Sequence, residues 1–461
     1  MDVRILRFNQ ALLPSGWARD VAVSVDPRGD IVAVESGAKA SHLESPFSGC
    51  VLPGMPNVHS HAHQRAMAGL AEYSGPTADS FWSWRTVMYD FANRMTPDQL
   101  ETIAAQLYIE MLKSGYTSVA EFQYLHHDEY GCPYQQPAEM SLRTLAAART
   151  TGIAMTSLPV LYRYGDFGAS TPQTGQKRFV NDADRYLTIV SALEDETRND
   201  PDHRVGIAPH SLRAVSLELL EEVLDGCPND IGPIHIHIAE QTKEIEDCIS
   251  WSGQRPVQWL LSNFEIDAGW CLIHATHMND SEISDVASTG AVAGLCPTTE
   301  ANLGDGFFSA RDYLDCGGLF GIGSDSHISV DPVEELRWLE YGQRLLQRSR
   351  NVLGDPNAQA STGRYLFDGA VLGGARACGR YTGRIEPGYR ADLITLDTDH
   401  PILYGRERDA LLDSWIFSGN AGGVRDVFVG GRQIVSNGIH PLQDTIALAF
   451  KSALDQLGNL T

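Results

Sequence analysis

His59, Ser60 and His61 close a short apolar run that reads VLPGMPNVHSHAHQRAMAGL from Val51 to Leu70. Successive strand residues point to opposite faces, so His59 and His61, two apart, project to one side and can share a metal ion. An isolated H-x-H pair is weak, because two ordinary histidines near a strand end give the same pattern. It gains weight from ligand-type residues at the ends of other apolar runs. Pro233 to Glu240 reads PIHIHIAE; His237 lies nearer the carboxyl end and is the expected ligand, with His235 one layer deeper as a hydrogen-bonded core histidine. Asp325 follows the apolar run LFGIGS directly, where an acid has few structural reasons to be. Three imidazoles and one carboxylate (His59, His61, His237, Asp325) with an open position for water suit one Zn²⁺ per chain, although Fe²⁺ or Mn²⁺ is chemically admissible. The fourth run ends APHS, with no Lys that could be carboxylated to bridge a second metal.

Two further residues depend on where their strands end. In Ile273-His274-Ala275-Thr276-His277, positions three apart alternate faces, so His274 is the expected functional histidine and His277 is left to packing or the surface. Glu240 comes three residues after His237. On a regular strand it would face the other way, so a functional role requires the strand to end and the loop to turn it inward; alone it reads as a solvated loop acid.

The elements that must position these residues form a repeating pattern. Strand-length apolar runs recur eight times: the VLPGMPNVHSH run, Thr117 to Phe122, Ile153 to Leu161, Arg204 to Ser211, Pro233 to Glu240, Gly269 to Thr276, Ala291 to Thr299 and Leu319 to Ser326. Helix-like stretches separate most of them. Thr96-Pro97-Asp98-Gln99 reads as a capping box, Leu100, Ile103, Leu107 and Met111 share one helical face, and Gly115 marks the stop. Asp331-Pro332-Val333-Glu334 starts another helix in the same way. Apolar strands alternating with helices are the pattern of an α/β (β/α)8 TIM-type barrel, whose active-site groups come from the C-terminal strand ends. Residues 1–53 and the far C-terminal part instead alternate apolar and polar positions between turns. The expected organisation is a barrel over 54–375 and a small β-sandwich domain built from 1–53 and 376–461, with a C-terminal tail.

Composition narrows the function classes. The 461 residues are 43% hydrophobic and 20% charged, as in a soluble globular protein. A formal charge of −24 argues against nucleic acid and against an anionic membrane, both of which need a basic face. An anionic substrate must then be captured by a few specific arginines. The eight scattered cysteines include no C-x-x-C pair and read as reduced thiols of a cytoplasmic protein. No signal peptide or membrane-spanning run is evident.

Taken together, these features resemble the amidohydrolase superfamily, and within it the mononuclear deaminases, over nearly the whole chain, including the closing GRIEPGYRADLITLD. More narrowly, HSHAHQRAMAGLAE, FWSWRTVMYDFA, YTSVAEFQYLHHD, APHSLRAV, HIHIAEQTKEIEDC and CPTTEANLGDG are similar to the formimidoylglutamate deiminase family (N-formimino-L-glutamate iminohydrolases) of histidine degradation. His63 departs from that pattern, where an aromatic residue is expected, but removes no ligand. The resemblance implies zinc-dependent hydrolysis of N-formimino-L-glutamate to N-formyl-L-glutamate and ammonia. It makes Asp325 the proton acceptor from water, His274 the group that orients the water, and Glu240 the partner of the amidinium nitrogen and its proton shuttle. Arg85 and Arg213 would hold the two substrate carboxylates. Gln64, Tyr124 and His210 would be the remaining polar contacts, and Trp82 and Trp84 would wall the pocket. The expected partner is thus a small dicarboxylate, with a homodimer an admissible assembly. Two other readings exist: a relative acting on another amidine or an aminated ring such as guanine, and an inactive scaffold that would have lost its ligands.

Overall fold

The computed structural model of the protein describes residues 3–37, 47–73, 81–228, 231–419 and 422–458. The side chains of Ser48, Trp82 and Ser83 lie outside the description, so the pocket wall expected at Trp82 is among the features left out. At the N-terminus, β1 (Arg4–Leu13) and β2 (Gly16–Val25) pair as an antiparallel hairpin, with β3 (Ile31–Ser36) antiparallel to β2 and β4 (Phe47–Pro53) parallel to β1.

The run around the first histidines serves two sheets. β4 ends at Pro53 and β5 (Met55–Ser60) starts one residue later in the barrel. Gly54 makes this change of sheet, and a Cβ there would lie 2.2 Å from Thr117 Cγ2. The barrel continues with β6 (Tyr116–Gln123), β7 (Ala154–Leu161) and an interrupted fourth strand of β8 (His203–Val205) and β9 (Ala208–Pro209). It is completed by β10 (Ile234–Ile238), β11 (Trp270–His274), β12 (Val292–Leu295) and β13 (Leu319–Ile322). All neighbouring pairs are parallel. The ring closes where Ile207 bridges Ile234 and Ser211 bridges His237. Every residue of β5, β6, β7, β11 and β12 is buried, as expected for parallel strands covered on both faces.

Two of the expected strands differ in detail. The run from Ala291 to Thr299 is strand only as far as Leu295, and Pro297 opens a helix, Pro297–Leu303. Proline cannot donate to a strand ladder but fits the first turn of a helix. The Arg204 to Ser211 run breaks at Gly206, where a Cβ would lie 2.4 Å from the Pro233 carbonyl oxygen.

Helix α1 (Phe81–Ala92) follows the first strand and α2 (Pro97–Ser114) comes after it. The Thr96 hydroxyl accepts from Gln99 N while Gln99 Oε1 accepts from Thr96 N, and Gly115 ends α2 in the left-handed region (φ 110°). Leu100, Ile103, Leu107 and Met111 are the buried face. Asp331 caps the helix Pro332–Gln347 by accepting from Val333 N.

The chain then returns to the small sheet through β14 (Leu393–Leu396), β15 (Val424–Val429) and β16 (Arg432–Val435). Strands from both termini form one seven-stranded mixed sheet, in the order β16, β15, β14, β4, β1, β2, β3. Among the described residues no helix is long and apolar enough to cross a membrane.

Candidate active site

His59 and His61 leave the end of β5 with their Nε2 atoms 3.1 Å apart, and His237 Nε2, from β10, lies 2.9 Å from His59 Nε2. Asp325, just past β13, brings Oδ1 to 3.6 Å from His59 Nε2 and 3.4 Å from His61 Nε2. His61 Nδ1–H donates to the Phe122 carbonyl at 2.9 Å and His237 Nδ1–H to the His210 carbonyl at 3.1 Å. Those bonds turn the bare Nε2 lone pairs toward one point. Burial holds all three imidazoles neutral, His61 at about 3. Bare lone pairs at these separations repel unless a cation sits between them, and tetrahedral zinc at 2.0–2.1 Å from each nitrogen would space them about 3.3 Å apart. The buried His59, His61 and His237 cluster is therefore a metal site.

Asp325 joins the first and last barrel strands as well. Its amide donates to the His59 carbonyl (3.1 Å) and its carbonyl accepts from His61 N (3.3 Å). Burial raises its carboxyl to about 7, a shift that a cation bound beside it would oppose.

His274 lies within reach of three carboxylates. Its Nε2 is 3.7 Å from Glu240 Oε1 and 3.8 Å from Asp325 Oδ2, and its Nδ1 is 3.2 Å from Glu300 Oε1. Burial opposes charge on this ring, but Glu240, the bond to Glu300, and Asp325 outweigh it and hold the imidazolium to about 10. Glu240 is not a solvated loop acid. Ala239 at φ 54° turns the chain after β10, and Glu240 is 5% exposed. His274 (φ 68°) and Asp325 (φ 43°) also adopt left-handed backbone at their strand ends, so costly conformations cluster where the polar side chains converge.

The mouth of the barrel holds one pocket lined by His61, His237, Glu240, His274 and Asp325 together with Gln64, Arg85, Tyr124, His210 and Arg213. Every substrate-contact residue expected from the sequence thus faces the same space. Arg213 is buried, with Nη2 3.9 Å from Glu240 Oε2. Arg85 comes from α1 and packs over the Tyr89 ring. Tyr124 Oη receives a hydrogen bond from Gln64 Nε2 (2.9 Å) and pairs with His63 Nε2 (2.9 Å), so His63 steadies a pocket residue while its ring packs 6.3 Å from that of His61. Trp84 lines the pocket, whereas His235 bonds the Ala377 carbonyl and His277 the Asp305 carbonyl, both away from it.

Comparison with known proteins gives the lineage. The profile of the amidohydrolase family matches residues 50–434. The chain belongs to the amidohydrolase family. A second profile, formimidoylglutamate deiminase HutF, N-terminal domain, matches residues 8–45 of this amidohydrolase. Formimidoylglutamate deiminase of Pseudomonas aeruginosa is 51% identical over 448 residues, covering 97% of this chain and 98% of its own. The crystal structure of an amidohydrolase from Brucella melitensis superimposes with a TM-score of 0.93 at 48% identity, covering 98% of this chain and 99% of that one. An adenosine deaminase from Xanthomonas campestris with bound zinc shares the fold, with a TM-score of 0.80 at 21% identity and 98% of each chain covered.

Several residues of this amidohydrolase that shape the site had no place in the sequence reading. His327 accepts from His61 N (3.1 Å) and contacts the hydroxyls of Ser60 and Ser324; the GSDSH string was the available signal. Glu121, inside β6, accepts from Ser60 Oγ, Ala62 N and Tyr108 Oη and so clamps the histidine loop. Tyr89 and Tyr162 add hydroxyls to the pocket wall, and nothing in their spacing marks them.

Proposed function

We propose that this chain is a zinc-dependent formimidoylglutamate deiminase, hydrolysing N-formimino-L-glutamate to N-formyl-L-glutamate and ammonia. The observation that carries the reading is the presence of Arg85 and Arg213 in the same pocket as Glu240, His274 and Asp325. In a chain of net charge −24, two guanidiniums at one mouth suit a dicarboxylate, which each can bind through paired charge-assisted bonds. A neutral aminated ring gives no reason for both. The 51% identity to the Pseudomonas aeruginosa enzyme supports the same substrate.

His59, His61, His237 and Asp325 would hold the zinc ion, which when bound supplies the Lewis acidity that makes water a nucleophile at neutral pH. The residues of the chain do the rest. Arg85 and Arg213 seat the two carboxylates and place the formimino carbon beneath Glu240 and His274. Gln64, Tyr124 and His210 complete the polar contacts. Asp325 accepts a proton from the attacking water while His274 Nε2, beside it, orients that water and steadies charge on the adduct. Glu240 holds the amidinium nitrogen through its N–H. As the carbon–oxygen bond forms, the carbon–nitrogen π pair moves onto nitrogen. The proton taken up by Asp325 reaches that nitrogen through Glu240, the carbon–nitrogen bond breaks with its electron pair on the departing ammonia, and the hydroxyl of the adduct gives its proton back to Asp325 as the formyl carbonyl forms.

The test is ammonia release from N-formimino-L-glutamate by zinc-loaded protein, beside a chelated sample and a guanine control. Metal-dependent release yielding N-formyl-L-glutamate is the expected result. No release from protein carrying one zinc per chain would remove this substrate.

A further inference from the structure

The helix Pro297–Leu303 follows β12 and carries a buried acid that the reaction above does not use. Glu300 is 4% exposed, and its Oε1 lies 3.2 Å from His274 Nδ1. The same oxygen accepts from Cys296 N at 2.9 Å, which fixes the carboxylate on the first turn of its own helix. The Glu300 carbonyl accepts from Asp305 N at 2.9 Å. Asp305 in turn accepts from Gln241, the neighbour of Glu240, and its carbonyl bonds His277 Nε2. One segment, 296–305, thus fastens the loop that bears Glu240 and the imidazole of His274.

Glu300 is not among the residues lining the pocket; it contacts the far edge of the imidazole. We propose that Glu300 is the positioning residue that fixes His274 as the Nδ1–H donor, with Nε2 aimed at the reacting centre. A carboxylate only accepts, so the proton of this hydrogen bond sits on Nδ1 of the ring. The left-handed backbone at His274 (φ 68°) and Ala275 (φ 50°) makes such a brace necessary, since no regular strand geometry sets the ring angle there. For histidines that bind a metal through one ring nitrogen, losing the partner that holds the other typically costs about 10–100-fold in metal affinity or activity, and the same order is expected where the other nitrogen serves the reacting centre.

The inference rests on the deiminase reading for its kinetic test but not for its spectroscopic one. In zinc-loaded Glu300→Ala, kcat on N-formimino-L-glutamate is expected to fall about 10–100-fold with KM within about twofold and metal content unchanged. Glu300→Gln keeps an acceptor oxygen for Nδ1–H and Cys296 N, and is expected to recover most of that loss. In ¹⁵N-histidine-labelled protein, with the His274 signals assigned by their loss in His274→Asn, ¹H–¹⁵N correlation reads the Nδ1–H hydrogen bond directly. A downfield, exchange-protected Nδ1–H signal of His274 is expected in the parent protein and in Glu300→Gln, and its loss or upfield shift in Glu300→Ala. Unchanged kcat in Glu300→Ala, a loss confined to KM or metal content, Glu300→Gln as impaired as Glu300→Ala, or an unaltered Nδ1–H signal in Glu300→Ala would each overturn the assignment. Were the parent protein inactive on this substrate, the deiminase reading would fail while the Nδ1–H comparison still decided the role of Glu300.

Discussion

Asp325 has two tasks that a single substitution separates. Its backbone joins the first and last barrel strands through the His59 carbonyl and His61 amide, while its carboxylate faces His59, His61 and His274. Asp325→Asn keeps the shape and the backbone bonds but removes the proposed proton acceptor and replaces the proposed carboxylate ligand by a neutral amide. Turnover is expected to fall by roughly 10²–10⁴-fold, the usual contribution of a positioned base, with an unchanged circular dichroism spectrum. Arg213 is the complementary case. It is not among the residues that would hold zinc, and its Nη2 lies 3.9 Å from Glu240 Oε2, so Arg213→Ala should raise KM on the order of 10–100-fold through lost charge-assisted bonds while zinc per chain stays constant. An unchanged KM would remove Arg213 from substrate capture.

At the scale of elements, the barrel holds its site residues in the last positions of β5, β10 and β11 and in the turns just past β5, β10 and β13. The opposite end is braced by ion pairs, and one of them carries a pH signature. Asp200 precedes β8, 2.9 Å from His203 Nδ1 and 3.3 Å from Arg149 Nε on the helix Glu139–Thr151. Burial pushes its carboxyl up, but His203, the Asp202 amide and Arg149 prevail and hold it well below its ordinary 3.8. A depressed carboxyl binds fewer protons folded than unfolded, so its stabilisation is present above the unfolded value near 3.8 and is lost as pH falls below it. Asp200→Asn should therefore lower the melting temperature at pH 7 and flatten its decline below about pH 4, as read by thermal denaturation at each pH.

At the scale of the molecule, the two termini are tied into one sheet, and that sheet feeds β4 directly into β5 and its histidines. Phe428 of β15 is fully buried and packs edge-on against Phe8 of β1 (6.0 Å) and Phe47 of β4 (4.9 Å). Phe428→Ala should cost about 3–5 kcal/mol in urea unfolding, although the residue lies in a different sheet from the metal site. Metal binding should stabilise the same global unit. At free zinc about 1,000-fold above its Kd, the linkage is worth about 4 kcal/mol, so chelation should lower the melting temperature together with turnover.

What was legible in the sequence was whatever depends on local pattern. Eight apolar runs announced the barrel, H-x-H announced two members of the histidine cluster, and the capping box at Thr96 and the cap at Asp331 marked helix starts, because each signal lies within a few residues. Other features needed the assembled fold. Pro297 converts the end of an apparent strand into a helix and thereby brings Glu300 behind His274, 26 positions earlier. The left-handed turn at Ala239 swings Glu240 inward against the alternation of its own strand. His327, Glu121, Tyr89 and Tyr162 reach the site from separate strand ends and helices. Such neighbours are set by barrel closure and by backbone conformations that only the surrounding packing can hold, so no spacing along the chain encodes them.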